Sequence, residues 1–302
     1  MSNTGQIYSF GKRTENLGTI PDFLGYNLSR LFALFEPPQA ILKYPIKIWD
    51  GGVEKYVFFD SEKRISLKSN LSTTTTPSPE KLKDIITPTS NIRVSSIFCL
   101  ISGVEYTERI FPSGNTFVFL VRDGELVKEG KNTALYFEDE SSGFIGPKVE
   151  AIDGSFSSLA KLSANSGNRF GFIFSTNENS YKGFRHQYVN GFDYQIRYWT
   201  TPNNNGFVDN TITEILTNKS HFSAFTASLG VEMSLYVDSI HQETKSVSGN
   251  VLDNLDFLIG AGYDTGRGLR DTNFQFGAIA SRVLTPLEIS DFNSKLNELF
   301  IY

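Results

Sequence analysis

A single cysteine, Cys99, occurs among 302 residues, which excludes a disulfide within the chain. It sits in the apolar run Ile97 to Ile101 and is expected to pack as a small hydrophobe. A chain of this length buries a sizeable core without covalent staples. Basic residues are also short: 28 Lys and Arg against 33 Asp and Glu leave a net charge of -5. Such a balance gives no broad positive field for nucleic acid, and no nucleic-acid partner is expected. No apolar run approaches the ~20 residues of a membrane-spanning helix, so membrane insertion is not expected either. The N-terminal stretch Met1 to Arg13 has no apolar segment of the secretory type, and the expectation is a protein made and kept soluble in a cytosol. The histidines His186, His221 and His241 lie far apart. None sits beside a nucleophile pattern, and no His/Cys set has zinc spacing.

Aromatic residues are abundant, at 14% with 26 Phe and 13 Tyr against 2 Met, a bias toward sheet. The clearest organisation lies between His221 and Leu299. In His221 to Ser228 and in Met233 to Asp238, apolar and polar residues alternate around Gly230, which predicts a half-buried antiparallel pair. Leu255 to Gly260 and Phe274 to Ile279 predict two more strands. Thr285, Pro286 and Glu288 then form a capping box with proline at the first helical position. Leu284 and Ile289 are placed for a hydrophobic staple. Ile289, Phe292, Leu296 and Leu299 recur on one helical face that should lie on a sheet.

In their order, Leu235 to Asp238, Leu258 to Gly260, Phe276 to Ile279 and Leu284 to Ile289 resemble the C-terminal half of a laminin-G-like or concanavalin-like jelly-roll domain. His221 and Phe222 stand where the family often has Trp-His-His, and Ser239 replaces the usual glycine after Leu-Tyr-Val-Asp. The resemblance implies an antiparallel β-sandwich closed by a short C-terminal helix. It also implies surface binding, with calcium held at loop oxygens in many members and glycan hydrolysis in some.

Upstream, Leu28, Leu31, Phe32 and Phe35 fall at helical spacing before Pro37-Pro38, which predicts an amphipathic helix. Ile41 to Trp49 and Val53 to Asp60 predict strands across Asp50-Gly51-Gly52. The run Leu71 to Pro79, with four consecutive threonines and two prolines, reads as a linker. The expected division is a small mixed α+β docking module over 1–70, a linker over 71–90, and a β-sandwich over 91–302, most firmly over 131–302. Within it, Ile92 to Ser102, Thr116 to Val121, Thr133 to Phe137, Phe170 to Ser175, Asp193 to Trp199 and Thr211 to Leu216 predict closely spaced strands, a mainly β pattern without crossover helices.

The candidate chemistry is sparse. Glycosidase carboxyls must face one sugar across ~5–9 Å, and Glu138 and Glu140 have the alternate spacing that places two side chains on one strand face. The contiguous acids Glu138-Asp139-Glu140 entering Ser-Ser-Gly look instead like a strand end, and no catalytic residue is assigned. Glycan binding needs a ring platform beside planar polar groups. Gln195, Arg197 and Trp199, on the strand face opposite Tyr194, Ile196 and Tyr198, together with Asn203 and Asn204, match this best. No cofactor is expected beyond calcium, for which Asp209, Asn210, Asp264 and Asp271 are the candidate oxygens; the same residues serve ordinary turns. The Gly-rich run Gly260 to Gly268 opens no helix and predicts a loop, not a phosphate cradle.

These features lead to the expectation of a non-enzymatic structural or attachment protein. A surface-binding fold without an export signal suits a phage-like virion, assembled in the host cytoplasm and released by lysis. Its partners would be other virion proteins and a host surface glycan, in a homo-oligomer. The alternatives are a cell-surface adhesin or lectin domain and a glycan hydrolase.

Overall fold

The computed structural model describes residues 20–110, 117–139, 141–149, 155–164, 170–176, 183–189, 193–199, 205–209, 220–228, 230–246, 255–261 and 268–299. The chain is mainly β, and its strands pair antiparallel: apart from the small ladder of Lys128–Glu129 with Asn132–Thr133, they form two sheets stacked as a sandwich, with the helix Pro286–Leu299 laid on one of them. In the helix-covered sheet the spatial order is Glu125–Leu126, Val118–Arg122, Leu135–Phe137, Thr272–Ala280, Ser155–Ala164, Ser220–Ser228, Glu232–Val237 and Ile240–Ser246. Leu28–Ala33 continues the edge begun by Leu135–Phe137 along Thr272–Ala280.

The second, open sheet runs Leu71–Ser72, Val53–Val57, Ile46–Asp50, Ile92–Phe98, Glu105–Ile110, Ser142–Val149, Leu255–Ile259, Phe170–Ser175, Gly183–Val189, Asp193–Trp199 and Asn205–Asp209. Ile92–Phe98 also reaches across to Val118–Arg122, with Ile92 opposite Val121. That shared strand joins the two sheets at one end.

Alternation sorts the side chains into two cores. Phe32, Phe137, Phe156, Phe225 and Phe274 of the helix-covered sheet meet Ile46, Ile48, Phe144, Phe174 and Phe257 of the open sheet. The opposite face of the helix-covered sheet gives Leu31, Ala33, Phe35, Leu159, Phe222, Phe276 and Ala278 to the helix residues Ile289, Phe292, Leu296 and Leu299. Phe292 anchors this second core, with ring centroids 4.6 Å from Phe23, 4.7 Å from Tyr26 and 5.5 Å from Phe276. Full burial of each such ring contributes roughly 1.5–3 kcal/mol.

The helix begins as its capping box predicts. Glu288 N–H donates to Thr285 Oγ1 at 3.3 Å, and Thr285 N–H donates to Glu288 Oε2 at 2.8 Å. Arg282 clamps the same carboxylate, which pulls Glu288 down to about 2. The hairpin after Leu-Tyr-Val turns on Asp238 and Ser239, both at positive φ (49° and 71°), the geometry that glycine favours. Asn293 Nδ2 donates to Ser239 Oγ at 3.0 Å, tying helix to turn.

The expected N-terminal helix is corrected. Leu28–Ala33 is a strand, because both of its faces are buried: Leu31 and Ala33 face the helix core while Phe32 faces the core between the sheets. A strand that is apolar on both sides mimics helical spacing. Strands from residues 1–70 are hydrogen-bonded into the sheets of the remainder, so this part is built into the sandwich as strands and not as a mixed module set apart. The 71–90 stretch is packed at both ends. Leu71 and Leu82 are fully buried, Tyr56 pairs with Ser72, and Lys55 bonds Glu80 at 2.8 Å; residues 73–77 between them are exposed. Thr211 to Leu216 lies outside the described residues. Strands at Ser142–Val149, Ser155–Ala164, Gly183–Val189 and Ile240–Ser246 add to those expected.

Candidate functional site

The expected glycan-binding strand is present as Asp193–Trp199. Its register sets Arg197 opposite Arg185 and Gln195 opposite both Gln187 and Asp209. Positions 195, 197 and 199 thus share the sheet face of Arg185 and Gln187, opposite the face that sends Phe184 into the core between the sheets. Asn203, Asn204, Asn210 and Asp264 lie outside the described residues. Asp271 accepts a hydrogen bond from Tyr136 Oη at 2.9 Å at a positive φ of 45°. Burial, then this carboxylate, pushes Tyr136 up to about 12. Among the described residues no three His, Cys, Asp or Glu side chains gather to hold a metal. Glu138 is half-buried, and Glu140 lies outside the described residues.

The histidines occupy three different settings. His186 is wholly buried between the sheets, with Nδ1 3.0 Å from Ser158 Oγ and Nε2 2.7 Å from Ser223 Oγ. Burial pushes it down to about 3, so it is a neutral bridge between the two layers, sealed from substrate. His221 Nδ1 lies 2.7 Å from Asp238 Oδ2 beside the helix. His241 Nε2 lies 2.8 Å from Thr244 Oγ1 on an exposed strand. Cys99 is fully buried in the core between the sheets.

A ring platform does exist, on another part of the open sheet. Ile46, Ile48, Val57 and Ile97 point into the core. Alternation therefore turns Lys47, Trp49, Tyr56, Ser96 and Phe98 to the outer side, where Ser96 and Phe98 are nevertheless buried, and the register aligns Lys47 with Tyr56 and Ser96, and Phe98 with Glu105. Tyr44 meets Tyr56 at 4.7 Å and Phe98 at 5.2 Å between ring centroids, both edge to face. Lys47 Nζ lies 4.8 Å from the Tyr56 centroid and 2.7 Å from Glu105 Oε1, an oxygen that also accepts from Ser96 Oγ at 2.7 Å. Burial alone would lower the Lys47 pKa, but the Glu105 carboxylate more than reverses this and raises it.

Beside this cluster the Arg93 guanidinium is held between the Trp49 ring at 5.0 Å and the Phe117 ring at 4.7 Å. Trp49 Nε1 and Glu108 Oε1 are buried without hydrogen-bond partners. Burial raises the Glu108 pKa against the opposing charge of Arg93. Tyr44, Trp49, Tyr56, Arg93 and Phe117 are all half-buried. Rings that carry fixed charges at their edges offer stacking to a sugar's C–H face and directed partners to its hydroxyls. The period-two reading of Ile46 to Trp49 was the available signal for Lys47 and Trp49; Phe98 and Glu105 join them only through strand register.

No protein-family model and no curated protein matches the chain. Among solved structures, it is similar to domain 4 of an extracellular GH43 arabinanase from Geobacillus stearothermophilus in complex with arabinotriose, at 16% identity and a TM-score of 0.45 over 60% of this chain and 82% of that one. It is similar to the botulinum neurotoxin serotype D binding domain at 13% identity and a TM-score of 0.48, over 68% of this chain and 48% of that one. For the Trypanosoma rangeli sialidase in complex with sialic acid the values are 13% and 0.48, over 71% of this chain and 33% of that one. The chain thus spans less than half of the toxin domain and about a third of the sialidase.

Proposed function

We propose that the chain is a non-catalytic attachment protein that holds a surface glycan or a partner protein on the outer face of its open sheet, as part of a phage-like virion. The observation that carries this reading is the Tyr44, Tyr56 and Phe98 cluster with the Lys47–Glu105 pair at its edge, on the sheet that the helix leaves uncovered. Its groups are fixed by one another before any ligand arrives, which lowers the cost of binding.

A glycan array probed with the full chain, with and without calcium, tests the binding. Hits that weaken at least tenfold in Tyr56→Ala support it; a blank array together with no captured virion protein removes it. Proteomics of purified particles separates the virion setting from a cell-surface adhesin, since only the former places the chain in particles. The hydrolase reading built on Glu138 and Glu140 predicts release of reducing ends that Glu138→Gln abolishes, whereas binding alone predicts no release.

A further inference from the structure

A concavity lies away from the ring platform. A cleft of about 220 Å³ opens between the loop 60–68 and the hairpin 125–133. Leu34, Phe35, Ile65 and Leu126 give it apolar walls. The loop is held rigidly. Asp60 Oδ1 accepts the N–H groups of Glu62 at 2.8 Å and Arg64 at 3.1 Å. Ile65 N–H donates to Leu34 O at 2.9 Å, and Thr133 Oγ1 donates to Ile65 O at 2.6 Å. Asn132 accepts from Arg64 Nη1 and donates to Leu299 O at the end of the helix. Arg64 is 7% exposed, so its guanidinium is a built part of the cleft.

Charge converges on the same place. Arg64, Lys68, Lys128 and Lys131 line the cleft with Asp60 and Glu62. Asp60 is engaged by its own loop, and Glu62 lies 3.6 Å from Lys68. Lys128 and Lys131 are exposed, and no described residue forms an ion pair with either. In a chain of net charge -5 this surplus of cations is local. Burial lowers the Arg64 pKa against the opposing charges of Asp60 and Glu62. The volume lies below the ~300 Å³ of the smallest drug-sized pockets, which limits the occupant to about one sugar ring.

We infer that this cleft binds a small organic acid the size of a monosaccharide, its carboxylate met by Arg64, Lys128 and Lys131 and its carbon frame by Leu34, Ile65 and Leu126. The planar guanidinium suits a carboxylate's paired oxygens, and the exposed lysines draw the anion in at low salt. Such an acid arrives either free or as the charged end of a glycan; the second case rests on the proposed glycan attachment and the first does not.

Titration of the full chain with glucuronate, with glucose as the neutral control, and with a glucuronate-terminated oligosaccharide tests the inference. Glucuronate is expected to bind and glucose not to. Lys128→Glu with Lys131→Glu, both exposed positions, should weaken glucuronate by about tenfold or more, and Val231→Ala, at an exposed turn away from the cleft, should leave it unchanged. An oligosaccharide that binds more tightly than free glucuronate places the site at a glycan end; equal affinities place it at a free acid. Equal binding of glucose, no binding at all, indifference to the lysine reversals, or loss in Val231→Ala would each overturn the inference.

Discussion

The two sheets are made of the same antiparallel strands and differ in what lies on their outer faces. The helix-covered sheet is buried on both sides, and its strands fill the outer side with Leu159, Ala224, Phe276 and Ala278 against Phe292 and Leu296. The open sheet keeps Leu258, Arg185 and Gln187 buried on its outer side as well, and only toward its other end does it carry the half-buried Lys47, Trp49, Tyr56 and Glu105 there. The contrast teaches where binding capacity resides. A face that spends its apolar surface on a helix is closed to ligands, whereas half-exposed rings tethered by fixed charges remain available.

The sharpest way to break the comparison is Phe292→Ala. It removes a ring packed on Phe23, Tyr26 and Phe276 and is expected to cost about 3–5 kcal/mol in chemical denaturation. Trp49→Ala on the open face is expected to cost about 1 kcal/mol; equal losses would mean that both faces are core. Next comes Gly277, at the centre of the helix-covered sheet, where an added Cβ would stand 2.3 Å from Phe174 Cζ of the opposite sheet. Gly277→Ala is expected to cost about 1–3 kcal/mol through overpacking, read by the same denaturation, and a neutral result would mean the sheets stand further apart. Thr285→Ala, which removes the helix cap, should cost about 1 kcal/mol.

The smallest effect is a pH dependence. Lys161, at the base of the helix, donates to Asn297 Oδ1 at 2.9 Å, and burial pushes it down to about 8 against the opposing charges of Asp238 and Glu129. The unfolded chain keeps this proton up to the ordinary lysine value of 10.5, so between about pH 8 and 10 it binds more protons than the folded one. Stability therefore gains a rising contribution with pH in that window. Lys161→Met should flatten the rise in thermal melts recorded from pH 7.5 to 10, and an unchanged slope would show that the helix leaves the lysine in water.

Much of this architecture is legible in the residues, and the exceptions have one physical cause. Alternation from His221 to Asp238 gave the hairpin, and Thr285, Pro286 and Glu288 gave the helix start. The same alternation implied strands buried on one face, yet Phe222 to Ala227 are buried throughout, because the polar positions Ser223 and Thr226 are small and Ser223 meets His186 across the core. Burial on both faces also hid Leu28–Ala33 behind a helical spacing. The Thr-Pro run reads as a linker, and residues 73–77 are exposed, but the anchors Leu71 and Leu82 on either side are visible only once packed. The ring platform has no local signature because Tyr44 and Tyr56 are far in sequence from Phe98 and Glu105. Sheet register, which no local pattern encodes, brings them together.

The central claim is that the uncovered sheet face does the binding. Hydrogen exchange of the full chain, alone and with a glycan or protein captured by it, tests this most directly. The account predicts added protection in residues 44–57 and 93–105, with none in the helix Pro286–Leu299. Protection confined to that helix, or to residues 193–209, would contradict it.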